Sequence, residues 1–245
     1  MFQTIILGIV QGLTEFLPIS SSGHLVLFHS LFGFKNVDPA FDVFVQGGTV
    51  LSVLIFFRRK ILALSSRDLL LLFIATLPAG IVGLLVSPYI DSLFTSLSGV
   101  TLGFFLTTAV VWSSKYVKAL SKVLSPRKSF LIGVSQAFAI LPGLSRSGTT
   151  IATSLLLGIK PEVAFTFSFL LSIPTVMGAS ILGAKDLVWD ETMTLNYLAG
   201  FLAATITGYF ALVLLAKIVK KGEFYKFAPY TFTLGLLSLL IVLLR

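Results

Sequence analysis

Six stretches of this chain are long, apolar and nearly uncharged: residues 41–57, 69–90, 93–112, 163–184, 192–216 and 227–244 hold Asp42 and no other formal charge. A helix that crosses the hydrocarbon layer of a membrane needs about 20 mostly apolar residues. Each stretch therefore predicts one crossing, and the chain as a whole an all-α polytopic membrane protein. Charged residues make up only 11% of it, where a soluble domain carries about 25%, so most of the surface must face lipid. The net charge of +8 then belongs to loops on one side of the membrane, and no nucleic acid is expected as a partner. There is no cysteine, which excludes disulfides and thiolate metal sites. The N-terminus lacks a basic leader and a small-residue cleavage site, so Met1 onward is expected to be mature protein.

Two further regions are apolar but broken in the middle. Met1–Thr14 runs into Pro18 and Ser20–Gly23 and resumes as HLVLFHSLFG; Ser129–Leu141 runs into Pro142–Gly148 and resumes as TTIATSLLLGI. Halves this short suit re-entrant segments rather than crossings. Irregular backbone at membrane depth survives only where it is buried in protein or lines a cavity, so the two breaks are expected to meet inside the molecule. They also repeat each other. With an offset of 125 residues, Gly8, Gln11, Ser20, Ser22 and Gly23 fall on Gly133, Gln136, Ser145, Ser147 and Gly148.

Each half is then one re-entrant helical hairpin followed by three transmembrane helices. A hairpin returns to its own side and three crossings change sides, so the halves have opposite orientation. The expectation is a single integral membrane domain over 1–245: repeat 1 at 1–112, a basic cytoplasmic loop at 113–128 and repeat 2 at 129–245. Such an inverted-topology repeat, with six transmembrane helices plus two re-entrant hairpins, places a ligand site near the midplane where the repeats meet. The loops with Arg58, Arg59, Lys60 and Arg67, with Lys115 to Lys128, and with Lys217 to Lys226 fall on one side in this scheme. With Lys160 they hold 14 of the 18 basic residues, which marks that side as cytoplasmic. The opposite loops carry Asp38, Asp91, Asp186, Asp190 and Glu191.

Ionisable groups at membrane depth are costly and mark function; here they are Glu15, His24 and Arg146. Gln11 and Glu15 are four apart, on one helix face. Ser20, Ser21, Ser22 and Gly23 open the second half of the first hairpin, with His24 about one turn on. Ser145, Arg146, Ser147 and Gly148 open the second half of the other hairpin. Helix starts offer free N–H groups and suit anions, and a guanidinium fits phosphate oxygens in bidentate fashion. Two such starts, an arginine and several hydroxyls converging on one point predict a phosphate or diphosphate site. Glu15 and His24 add a base or nucleophile and a carboxylate able to bind a metal or orient the attacking group. Plainer readings of the same residues stand beside this: a structural Glu15–Arg146 ion pair, a hydrogen-bonded core histidine, serine helix caps, and glutamines that only join helices.

The segments QGLTEFLPISSSGH at 11–24, FDVFVQGGT at 41–49, PGLSRSGTT at 142–150 and FSFLLSIP at 167–174 resemble the undecaprenyl-diphosphate phosphatase family, the bacitracin-resistance proteins, along essentially the whole chain. The resemblance implies an integral membrane enzyme that hydrolyses undecaprenyl diphosphate to undecaprenyl phosphate and inorganic phosphate. That reaction recycles the lipid carrier for peptidoglycan synthesis and confers bacitracin resistance. It further implies a divalent cation, magnesium or calcium, with Glu15 as the matching metal ligand; Gln11 sits where many members have glutamate. Ser21 and His24 match the catalytic serine and histidine, either of which could be the nucleophile. Ser145, Arg146, Ser147 and Thr150 match the phosphate-binding motif.

The expected setting is a bacterial inner (plasma) membrane, multi-pass, with the site facing outward. A polyprenyl diphosphate lipid and the bilayer are the expected partners, and a homodimer is compatible with the reading. The alternative is a lipid-phosphate flippase or transporter, whose architecture inverted repeats also serve.

Overall fold

The computed structural model describes residues 2–32, 39–86, 96–117, 121, 123–183 and 191–244. Asp38, Asp91, Asp186 and Asp190, together with Lys118 and Lys122, lie outside these described residues, as does the side chain of Glu191. Ten α-helices are described: α1 Phe2–Phe16, α2 Ser21–Phe32, α3 Pro39–Leu62, α4 Ser66–Val86, α5 Leu97–Ser113, α6 Pro126–Phe138, α7 Arg146–Leu156, α8 Pro161–Gly183, α9 Glu191–Lys220 and α10 Ala228–Leu243. No strand occurs among the described residues. A bridge between Ser121 and Ile159 ties the basic loop to the end of α7.

Among the described residues, five segments are long and apolar enough to cross a membrane: Ser66–Val86, Leu97–Tyr116, Pro161–Gly178, Thr194–Lys220 and Phe224–Leu243. The chain is thus an all-helical polytopic membrane protein. α3 covers the expected stretch 41–57 but is not among the five; its last turn carries Arg59 and Lys60. Helices α4 and α8 run on through Pro78 and Pro174. The lipid-ready surface is plainest on α4, where Leu69, Leu70, Phe73, Ile81, Leu84 and Leu85 are all exposed.

The breaks fall where the sequence changes character. α1 stops before Pro18, and α2 restarts after Ser20, which holds a left-handed backbone (φ 66°). α6 stops before the Pro142–Gly143 pair, with Gly143 left-handed at φ 84°, and α7 restarts after Ser145. The resulting helices have 15, 12, 13 and 11 residues. At about 1.5 Å per residue none reaches across a hydrocarbon layer of about 30 Å.

The two hairpins seat themselves in matching ways. α1 lies on α9 and α6 lies on α4. A Cβ at Gly8 would stand 2.3 Å from the carbonyl oxygen of Gly200, and one at Gly133 would stand 2.3 Å from that of Ala75. Backbone meets backbone at both places, and the four residues obey the same offset of 125. Between the halves, α3 packs on α8 and α5 on α10. Rings fill the first of these seams: Phe57 tilts against Phe165 at 5.6 Å, Phe165 meets Phe169 at 4.8 Å, and Phe169 meets Phe16 at 5.4 Å. The last ring is next to Glu15 in the chain, so this aromatic seam packs against the end of α1.

Candidate active site

The two turns carry the same cap. Ser20 Oγ accepts from Gly23 N at 3.3 Å and Ser145 Oγ accepts from Gly148 N at 3.1 Å. Ser22 Oγ lies 3.3 Å from Ser20 Oγ, and Ser147 Oγ lies 3.2 Å from Ser145 Oγ. Each cap satisfies one early N–H and leaves those before it without an intrahelical acceptor. The second turn is braced by Thr107, whose Oγ1 donates to Gly143 O at 2.9 Å and accepts from Ser145 N at 2.9 Å.

The turns meet through side chains. Arg146 Nη2 donates to Glu15 Oε1 at 2.7 Å, in a pair whose side chains are 15% and 11% exposed. Ser147 Oγ donates to Leu17 O at 3.2 Å. The other carboxylate oxygen, Glu15 Oε2, accepts from Ser21 Oγ at 2.6 Å and from Gln11 Nε2 at 3.1 Å. Glu15 is therefore the hub of the cluster. A short O–H···O⁻ bond of this kind is charge-assisted, and a hydroxyl held on a carboxylate that a third group orients is an activated-nucleophile arrangement. Two polar atoms at this centre are buried with no partner, Gln11 Oε1 and Arg146 Nη1. One is an acceptor and the other a cationic donor.

His24 stands apart from that hub. Its Nδ1–H donates to Ser20 O at 2.7 Å, because a carbonyl can only accept. In the neutral ring Nε2 then carries the lone pair, which accepts from Tyr230 OH at 2.8 Å. The two rings lie nearly parallel, 9° apart, and Phe104 meets the imidazole edge-on at 6.0 Å. Among the described residues His24 makes no hydrogen bond to Glu15, Ser21 or Arg146.

Other expected residues divide in the same way. Gln11, Ser21 and Ser147 join the cluster, and Ser20, Ser22 and Ser145 shape its turns. Thr150 is fully buried and turns away toward α8, with its Oγ1 2.6 Å from Ser168 Oγ. The space above Gly23 is taken by the Phe104 ring, 2.5 Å from where a Cβ would sit. Above Gly148 the near neighbours are Ser145 and Val111. Tyr230, Thr107 and Ser168 are absent from any sequence-based site. Tyr230 lies in the first turn of α10, a helix that also carries Thr231, Thr233 and Ser238, so its sequence context does not single it out.

The oxygen donors at the hub fit a hard divalent cation of a particular kind. Among the described residues no three carboxylate, histidine or cysteine groups cluster, which rules out a dedicated cage built from them. Glu15 with the orphaned Gln11 Oε1 fits a cation that takes most of its ligands from phosphate and water, as magnesium does.

The sequence profile of the family described as bacitracin resistance protein BacA matches residues 4–237. A protein of Carboxydothermus hydrogenoformans named undecaprenyl-diphosphatase is 40% identical, over 98% of this chain and 97% of its own length. One of Desulfosudis oleivorans with the same name is 41% identical, over 98% and 97%. A third, from Methanobrevibacter smithii, is 39% identical over 97% and 96%.

Proposed function

The chain belongs to the bacitracin resistance protein BacA family, and on that premise we propose that it is an undecaprenyl-diphosphatase whose reacting pair is Ser21 and Glu15. The observation that carries this reading is the 2.6 Å bond from Ser21 Oγ to a carboxylate whose other oxygen is held by Arg146. Ser21 Oγ attacks the terminal phosphorus while Glu15 takes its proton. The bond from that phosphorus to the bridging oxygen breaks, and undecaprenyl phosphate leaves with the electron pair and, from Glu15, the proton. Water then attacks the phosphoserine; Glu15 takes a proton from the water and returns it to Ser21 Oγ as inorganic phosphate departs.

Arg146 Nη1, buried and unpartnered, is free to donate to the phosphate oxygens, where electrostatics and positioning do most of the work of phosphoryl transfer. The open N–H groups at the starts of α2 and α7 serve the same charge. Ser20, Ser22, Ser145, Ser147, Gly23 and Gly148 bind substrate through this backbone more than through their own atoms. Thr150 fixes α7 on α8. His24, held by Ser20 and Tyr230, orients the first turn of α2. Its Nε2 could attack phosphorus only after the Tyr230 hydroxyl had left. When bound, a magnesium or calcium ion held by Glu15 and Gln11 neutralises part of the diphosphate charge.

In this reading the domain is an inverted repeat, 1–112 and 129–245 about the basic loop, with α3 as the sixth crossing and α1–α2 and α6–α7 as re-entrant hairpins. The matched seating of Gly8 on Gly200 and Gly133 on Ala75 supports it. The helix ends that carry Arg58–Lys60 and Lys217–Lys220 face the cytoplasm. The site opens outward from the plasma membrane, and the prenyl tail stays among the spans or in lipid. Because the chain has no cysteine, single cysteines at Arg59 and Ser96 should label from opposite faces, and labelling from one face would undo this placement. The activity is tested by phosphate release from undecaprenyl diphosphate by the purified chain. Ser21→Ala should lower it by about 10³-fold, and near-normal turnover in folded Ser21→Ala would remove Ser21 from the chemistry.

A further inference from the structure

Between the basic C-terminal turns of α3 and α9 and the N-terminal turn of α8, which carries Glu162, lies a cleft of about 230 Å³. Its walls are rings: Phe56, Phe57 and Phe165 line it, with Phe57 and Phe165 both buried. Its polar lining includes Lys60 and Lys220, and one acid, Glu162. Three other cations on this side have partners, Arg67 among them, whose Nη2 donates to Leu124 O at 3.2 Å. Lys115 Nζ lies 4.8 Å from the centre of the Trp112 ring, and Lys226 Nζ is 2.7 Å from Glu223 Oε1. Lys60 and Lys220 have neither kind of partner among the described residues, and Glu162 pairs with neither of them.

We propose that this cleft binds a monoanionic phospholipid of the adjacent leaflet, with the phosphodiester between Lys60 and Lys220 and one acyl chain against the phenylalanines. Three features select that ligand. Two ammonium groups less one carboxylate leave a single net positive charge, which matches one phosphodiester and is a poor match for a dianion. The aromatic floor gives no hydrogen bonds, so a free phosphate or a soluble phosphate ester would gain nothing from it. The volume is below the roughly 300–1,000 Å³ of pockets that enclose whole small molecules, which suits a segment of chain whose remainder lies in the bilayer. Basic pockets between membrane helices on the cytoplasmic side take anionic lipid head groups. The site is separate from the Ser21–Glu15 cluster and does not depend on the catalytic assignment.

The test is native mass spectrometry of the full-length protein released from detergent with phosphatidylglycerol or phosphatidylcholine of equal chain length. Each lysine near a head group contributes enough that the wild type should retain phosphatidylglycerol about tenfold better. Lys60→Gln with Lys220→Gln should erase that preference, Lys60→Arg with Lys220→Arg should keep it, and Glu162→Gln should keep or raise it. Glycerol phosphate should not displace the lipid. Equal retention of the two lipids by the wild type, an unchanged preference in the double glutamine variant, or displacement by glycerol phosphate would each overturn the proposal. Phosphate release by the double glutamine variant in zwitterionic detergent should equal that of the wild type.

Discussion

The turn after α1 and the turn after α6 are built alike and equipped differently. Both place a serine cap on a glycine amide, both set a second serine beside the first, and both press a glycine of the preceding helix onto foreign backbone. At the positions proposed to do the chemistry the two turns differ. Glu15 corresponds to Ile140, Ser21 to Arg146 and His24 to Thr149. The likeness gives two serine-capped helix starts, and the difference gives an acid and a hydroxyl on one turn and a cation on the other. The glutamines differ as well. Gln11 Nε2 is satisfied by Glu15, whereas both polar atoms of Gln136 are buried without a partner. An isoleucine stands where the second copy would need its carboxylate.

That contrast can be broken at several points. The largest effect should come from Glu15→Gln, which keeps the shape and removes the base; phosphate release should fall by about 10³-fold, and a variant near wild-type rate would mean that the divergence is not catalytic. Arg146→Lys should lose about 10²-fold, since one ammonium cannot hold Glu15 and a phosphate in fork geometry; equal rates would reduce Arg146 to a simple countercharge. Gly8→Ala and Gly133→Ala should each destabilise the protein by about 1–3 kcal/mol in thermal unfolding. Their near equality is the prediction, and a loss at only one would show that the two hairpins are not seated alike. Tyr230→Phe should lower kcat by about fivefold, the worth of one orienting hydrogen bond, and leave KM alone; an equal rise in KM would put the hydroxyl on the substrate instead. Smallest is Gln136→Leu, which removes two orphaned groups and should leave stability unchanged or raise it by about 1 kcal/mol. Gln11→Leu should cost activity.

Much of this was readable from the chain because periodicity and punctuation are local. The apolar stretch expected at 69–90 is α4 at Ser66–Val86, and that at 227–244 is α10 at Ala228–Leu243. The breaks at Pro18 and Pro142 carry the two turns, and the meeting of Glu15 with Arg146 follows once the turns are paired. Three plainer readings proved correct in part, and one is that His24 is a buried histidine hydrogen-bonded to Ser20 and Tyr230. The Glu15–Arg146 ion pair exists, and it is what orients the carboxylate toward Ser21. Ser20 and Ser145 are caps. What could not be read was contact between distant faces. Tyr230 reaches His24 across 206 positions, and nothing in the spacing of α10 distinguishes that ring from a lipid-facing one. Thr150 shares its motif with Arg146, yet its hydroxyl goes to Ser168, because one residue's rotation about a helix decides which neighbour it meets.

The central claim is that the first turn attacks through Ser21, with Glu15 as its base, and not through His24. Rapid quenching of the enzyme during turnover of undecaprenyl diphosphate, followed by peptide mass spectrometry, tests it most directly. Acid-stable phosphate should appear on Ser21, be absent from Ser21→Ala and be reduced in Glu15→Gln. An acid-labile phosphate on His24, still formed in Ser21→Ala, would contradict it.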